Sequence, residues 1–231
     1  MNDEAHAMKI KLRSDFDDYY DGCFDDEGIP FDRLAESGPY RREMYAFLEQ
    51  AGYRVPRHGT VEEMAARIAR EWQEMNVPVS EQVVRQMTEL VVYGVERGHG
   101  GNNHLVSVDD ALDIFPHHYC AEYIRVQPSG LGWSLQHLQI GDRHWWLSYT
   151  SANNWRSNAG DCKVEILEEG PRGYHDTITE PIFSIDLLPA QQLCAIDYNI
   201  GPKLSGRGIE DVLSPGEVVD LIRAAMKRGR G

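Results

Sequence analysis

Residues Glu180 to Glu210, EPIFSIDLLPAQQLCAIDYNIGPKLSGRGIE, contain two apolar runs that each end in a carboxylate. Ile182, Phe183 and Ile185 lead into Asp186. Leu193, Cys194, Ala195 and Ile196 lead into Asp197, with Asn199 two residues on and so on the same side of an extended chain. The linker Pro189-Ala190-Gln191-Gln192 suits a tight connection between antiparallel neighbours. Two such strands in register would hold Asp186, Asp197 and Asn199 together. That all-oxygen set suits a hard cation such as Mg²⁺ carrying a nucleotide's phosphates. The same spacing also fits two strand-end carboxylates that simply face water.

Working outward, 231 residues with 42% hydrophobic content are enough for one large domain or two or three small lobes. No apolar run approaches the roughly 20 residues that span a bilayer, and the start, MNDEAHAMKIKL, lacks a charged-then-apolar signal pattern. The expected location is therefore the cytoplasm, away from membranes. Cys23, Cys120, Cys162 and Cys194 are far apart and form no C-x-x-C, which fits reduced thiols. A formal charge of −14 repels polyanions, so bulk nucleic-acid binding is disfavoured, while a locally basic site for a nucleotide is not.

Before this stretch, Lys9 to Phe16 reads as a strand and the following DDYYDGCFDDEG as an acidic loop without calcium-loop spacing. Arg41 to Ala51 reads as a helix with Met44, Phe47, Leu48 and Ala51 on one face and Gly52 as its stop. Thr60 with Glu63 forms a capping box opening a helix whose Met64, Ile68, Trp72 and Met75 point to a core, and Ser80 opens another through Val83, Val84 and Met87. Leu90 to Val95 is a buried-type strand running into ERGHGGNNH, where Gly98, Gly100 and Gly101 allow amides to converge on an anion, or merely make a turn. Ser107 caps a short helix through Ala111, Leu112, Ile114 and Phe115, and CAEYIRV follows as a strand. His99, His104, His117 and His118 lack zinc-ligand spacing. SLQHLQI and RHWWLSY around Gly141-Asp142 form a two-residue hairpin, SANNWRSNAGD a polar loop, and Lys163 to Leu167 a further strand. Ser214, Pro215 and Glu217 open a last helix through Val218, Leu221, Ile222 and Ala225, ahead of a frayed KRGRG tail.

Taken in order, these segments resemble the ATP-grasp superfamily, closest in pattern to the branch of ribosomal-protein glutamate ligases, D-alanyl-D-alanine ligases and inositol phosphate kinases. RREMYAFLEQAGYRVPRHGTV is similar to the helix and "AGhPhP.t" entry of the first nucleotide-gripping lobe, and LVVYGVERGHGGNNHLVSVDDALDIF to the strand and phosphate loop that follow. AEYI resembles the adenine hinge, NWRSNAGD the "DFRSN" loop, and IDLL with AIDYNIGPKLSGRGIE the metal pair and the "E.N..PG" turn. The resemblance covers about residues 40 to 226, and what precedes is shorter than the family's usual first domain.

The resemblance implies an α+β ATP-grasp fold of two lobes gripping a nucleotide. It divides the chain into a shortened segment 1–59, a small lobe 60–124 with glycine loop and hinge, and a large lobe 125–231 with the metal site. ATP and Mg²⁺ are the implied cofactors. Asp186, Asp197 and Asn199 would hold the metal, and Glu122, Tyr123 and Ile124 would line the adenine hinge. Arg156 and Asn158 would steady the transferred phosphoryl group, with Lys203 as a further cation. Two positions depart from the pattern: Tyr93 replaces the usual phosphate-binding lysine, and Arg41 stands at the earlier lysine position. Arg97, beside Gly98, Gly100 and Gly101, is the substitute the sequence offers. The implied activity is an ATP- and Mg²⁺-dependent carboxylate-amine ligase that works through an acyl-phosphate. Its substrate would be a small molecule or peptide bearing a carboxylate, and homodimerisation is left open. A small-molecule kinase shares the same apparatus, and the loss of lysine at Tyr93 also fits a nucleotide-binding or interaction module without turnover.

Overall fold

The structure, a computed structural model, describes residues 41–75, 78–94, 103–169, 178, 180–200, 202 and 204–228. They form two compact units, 41–125 and 126–228. The expected strand at Lys9 to Phe16 and the acidic loop after it lie outside the described residues, as do residues 229–231 of the tail.

In the first unit, helix α1 (Arg41–Gln50) is followed by strand β1 (His58–Thr60), helices α2 (Val61–Met75) and α3 (Glu81–Met87), strands β2 (Glu89–Tyr93) and β3 (Asn103–Ser107), helix α4 (Val108–Ile114) and strand β4 (Tyr119–Glu122). The four strands make one antiparallel sheet in the order β1-β4-β2-β3. Local signals set the helix ends. Gly52 takes φ 84°, which L side chains avoid, and the Tyr53 amide bonds back to Leu48 to close α1. Thr60 and Glu63 cap α2 reciprocally, the Thr60 amide donating to Glu63 Oε2 at 2.7 Å and the Glu63 amide to Thr60 Oγ1 at 3.2 Å. Ser80 and Ser107 cap α3 and α4. Val61, Met64 and Ile68 of α2 then pack with Val108 and Ala111 of α4 on Leu90, Val92 and Cys120 of the sheet.

The apolar spacing overstated how much of these helices is buried. Met75, expected in the core, is 62% exposed as the last residue of α2, and Trp72 is half-buried with its indole N–H donating to the Val79 carbonyl. Helix α3 buries no residue fully: Val83 and Met87 face solvent and Val84 alone reaches the core cluster. Ile114, at the end of α4, is likewise exposed.

The second unit is an antiparallel sheet ordered β7-β6-β5-β8-β9, built from β5 (Trp133–Ile140), β6 (Arg143–Ser151), β7 (Cys162–Glu169), β8 (Ile182–Pro189) and β9 (Leu193–Ile200), followed by helix α5 (Pro215–Arg228). The expected β5–β6 hairpin turns on Gly141 and Asp142, with Gly141 at φ 64°. A Cβ at Gly141 would lie 2.7 Å from the Leu221 carbonyl oxygen of α5, so glycine is required by both backbone and space. Ser214 and Glu217 open α5 as a capping box, the Ser214 amide donating to Glu217 Oε2 at 2.8 Å. One face of the sheet carries Leu138, Ile140, Trp145, Leu147 and Ile182, covered by Leu204, Ile209, Leu213, Val218 and Ile222. Complete burial of each aliphatic side chain there contributes about 1.5–3 kcal/mol, which fixes α5 across the sheet.

Candidate functional site

Strands β8 and β9 pair as the apolar runs require, with Pro189 opposite Leu193 at the turn end. That register, continued evenly, would set Ile196 opposite Asp186. A β-bulge between Asp186 and Leu187 absorbs one extra residue on β9, and Asp186 faces Asp197 instead, with Ser184 facing Asn199. Directly opposed residues have Cβ atoms about 4.5–5.5 Å apart, so the two carboxylates share one side of the sheet and Asn199 follows on it. All three are half-buried. The expected convergence of Asp186, Asp197 and Asn199 is therefore present, through a device the apolar spacing did not reveal.

The same side of β5 runs Ser134, Gln136, Leu138, Ile140, polar at one end and apolar at the other. Gln136 pairs with Asp186 across β5 and β8 and donates from Nε2 to Asp186 Oδ1 at 2.7 Å. The Tyr149 hydroxyl donates to Gln136 Oε1 at 3.1 Å, and the Arg207 guanidinium lies 4.8 Å from the Tyr149 ring centroid. Burial pushes the Tyr149 phenol above its ordinary range, and Arg207 partly offsets the rise, so Tyr149 stays a protonated donor. The polar loop after β6 is tied to this end of the sheet: the Ser157 hydroxyl meets that of Ser134 at 2.6 Å, and the Gly132 amide donates to the Asn154 carbonyl at 2.7 Å. Asn153 closes the loop through Asp161, accepting its amide at 2.9 Å. Arg156 is half-buried with its guanidinium toward the Trp155 ring, and Asn158 is exposed. Sequence reasoning missed Gln136, Tyr149 and Arg207; the switch from Ser134 and Gln136 to Leu138 and Ile140 along one face was the available signal.

In the first unit, Arg41 and Tyr93, the two departures at lysine positions, meet: the buried Arg41 guanidinium sits 4.7 Å from the Tyr93 ring centroid. Around them the Tyr45 and Tyr93 hydroxyls bond at 2.7 Å, and His58 stacks on Tyr45 and reaches the Tyr119 hydroxyl at 2.6 Å. Burial lowers the His58 imidazole and pushes the Tyr119 phenol up to about 12. Glu122 ends β4, but its carboxylate is gripped by Arg57 through two hydrogen bonds of 2.8 and 2.6 Å, and Arg57 also binds Glu71. The Tyr123 amide donates to the Glu89 carbonyl, and Ile124 is half-buried in the irregular segment that follows. Arg57 was not singled out from the sequence. Arg97, Gly98, Gly100, Gly101, His99 and Lys203 lie outside the described residues.

The donors at the β8–β9 pair are two carboxylates and an amide oxygen, the chemistry Mg²⁺ prefers. Beside them Ser184 Oγ is fully buried with no hydrogen-bond partner among the described residues. The residues present thus fit a hard divalent cation. No group of three or more His, Cys, Asp or Glu side chains that could hold a metal occurs among the described residues; the β8–β9 set reaches three donors only with the Asn199 amide.

No protein-family model and no curated protein sequence matches the chain. Among solved structures, the ATP-grasp ligase PsnB complexed with a minimal precursor superposes with a TM-score of 0.50 at 14% identity, covering 80% of this chain and 60% of that one. The RiPP-associated ATP-grasp ligase of Chryseobacterium gregarium, in complex with ADP and a leader and core peptide, gives 0.49 at 14% identity, covering 83% and 62%. The VanG D-Ala:D-Ser ligase of Enterococcus faecalis gives 0.42 at 13% identity, covering 80% and 61%. The chain spans about three fifths of the length of these structures. Its elements are α+β with two antiparallel sheets, and on the superposition with PsnB the chain has the ATP-grasp fold.

Proposed function

We propose that the chain binds ATP with Mg²⁺ and joins a carboxylate to an amine through an acyl-phosphate. The observation that carries this reading is the pairing of Asp186 with Asp197, with Asn199 on the same side, in a chain of ATP-grasp fold. Asp186, Asp197 and Asn199 would hold the metal, which when bound supplies charge neutralisation for the phosphates. Arg156 and Asn158, on a loop anchored to the same sheet end, face charge developing on the transferred phosphoryl group, with Lys203 as an added cation. In the first unit the Arg41 guanidinium lies 4.7 Å from the ring of Tyr93, the residue at the lysine position, and would supply a cation there. Tyr123 and Ile124 would flank adenine and Glu122 the ribose, which requires Glu122 to share its carboxylate with Arg57. Arg97 and Gly98, Gly100 and Gly101 complete the proposed phosphate contacts.

In the first step a substrate carboxylate oxygen bonds to the γ-phosphorus as the bond to the bridging oxygen breaks and ADP leaves. An amine then bonds to the acyl carbon, inorganic phosphate leaves, and the amine gives up a proton. The ATP-grasp ligase PsnB, similar in fold, is described in complex with a minimal precursor, and a small-molecule or peptide substrate bearing a carboxylate is the proposed class here. Hydroxylamine added during turnover of ATP with a candidate carboxylate pool should yield a hydroxamate. ATP consumption that gives a phosphorylated hydroxyl and no hydroxamate would move the assignment to a kinase. A second reading, a nucleotide-binding module without turnover, draws on the buried stacking of Arg41 over Tyr93, which diverts a cation from the phosphates; it predicts ADP binding with no ATP consumption under any substrate pool.

A further inference from the structure

We propose that Gln136 and Tyr149 are positioning residues that orient the Asp186 carboxylate for its cation, an inference that rests on the metal reading of Asp186. Both are buried on the core side of the central strands, where the neighbours Leu138 and Leu147 are apolar. A buried amide or phenol without partners is costly, so their presence among aliphatic side chains calls for a compensating role. Their hydrogen bonds run in one direction. Tyr149 Oη donates to Gln136 Oε1, which leaves Gln136 Nε2 to donate to Asp186 Oδ1 at 2.7 Å, a short charge-assisted bond. Flipping the amide would aim a carbonyl at a carboxylate, so Tyr149 selects the amide orientation and the amide selects the carboxylate rotamer. Arg207, stacked against the Tyr149 ring, covers the far end of the relay. Hydrogen-bonded outer groups of this kind hold metal-binding carboxylates in place, and their loss weakens metal affinity about 10–100-fold.

The test is Mn²⁺ binding to the full chain in the presence of ADP, read by the electron paramagnetic resonance of unbound Mn²⁺, with thermal melts to check folding. Asp186→Asn should weaken binding by at least about 10-fold, Gln136→Met by about 10-fold, and Tyr149→Phe by a few-fold. Because the relay acts only through Asp186, Gln136→Met should add nothing in the Asp186→Asn background, and Tyr149→Phe nothing in the Gln136→Met background. Wild-type affinity in Gln136→Met and Tyr149→Phe, with Asp186→Asn weakened, overturns the relay and leaves the metal reading standing. Independent, additive losses in the double variants also overturn it. If Gln136→Met fails to fold, Tyr149→Phe alone decides, since unchanged binding there removes the relay. Wild-type affinity in Asp186→Asn overturns the metal reading, and the relay with it.

Discussion

Replacing Gly132 by alanine places a methyl group inside the backbone of the loop that carries Arg156 and Asn158. The added Cβ would meet the Ser157 amide nitrogen and the Arg156 carbonyl carbon far inside contact distance, and the Arg156 carbonyl oxygen at 2.7 Å. These are main-chain atoms and cannot rotate away, so relief to an ordinary separation of about 3.5 Å moves the loop by roughly 1 Å. That movement stretches the Gly132 amide bond to the Asn154 carbonyl from 2.7 Å and the Ser151 amide bond to the Gly132 carbonyl from 2.9 Å. Both would end beyond hydrogen-bonding range. Overpacking costs about 1–3 kcal/mol and each of the two lost bonds about 1, giving a destabilisation of roughly 3–5 kcal/mol, or a fall in Tm of about 6–20 °C for a chain of this size. A shift near 1 Å in the loop should also lower turnover by about 100-fold once a substrate is known. The control is Gly216→Ala on α5, where a Cβ meets nothing within 4 Å. That change should stabilise by about 0.5 kcal/mol through helix propensity. Calorimetric melts of both variants decide: a Gly132→Ala protein melting with wild type would refute the packing that holds the loop.

Asp197→Asn should act with opposite signs in two conditions. Without metal it removes one of two facing carboxylates and stabilises by about 0.2–1 kcal/mol, whereas Mg²⁺ and ADP at a hundredfold excess over Kd favour the wild type by roughly 2.7 kcal/mol. Melts in chelator and in Mg²⁺–ADP check this, and the same sign in both would contradict it. Burial, with His144 alongside, holds the His137 imidazole down at about 4 from 6.5. Between those values the unfolded chain binds a proton that the folded chain refuses. Stability is therefore lost as pH falls across that window, by up to roughly 3 kcal/mol. His137→Leu should flatten the acid slope of urea-unfolding stability between pH 6.5 and 4, and unchanged slopes would exclude His137 as its source.

The β8–β9 hairpin was legible because two apolar runs flank a four-residue linker, and the β5–β6 hairpin because Gly141 and Asp142 form a two-residue turn between SLQHLQI and RHWWLSY. What placed Asp197 opposite Asp186 was a bulge, and no glycine or proline marks it among Leu193–Ile196. Gln136 hid inside a strand read only as one arm of a hairpin, although the polar end of its face repeats in Ser184 and Asp186 of β8. Arg57 and Glu122 are far apart in sequence, as are Arg41 and Tyr93, and such pairings depend on how β1, β4 and β2 align. The exposure of Val83 and Met87 shows the converse limit: α3 is too short to present a full apolar stripe to the sheet.

The most direct measurement is anomalous diffraction from crystals grown with Mn²⁺ and ADP. The anomalous peak should lie within about 2.2 Å of oxygens from Asp186, Asp197 and Asn199 and of the nucleotide's phosphates. Nucleotide bound with its Mn²⁺ held by other residues, and these three side chains away from it, would contradict the proposed site.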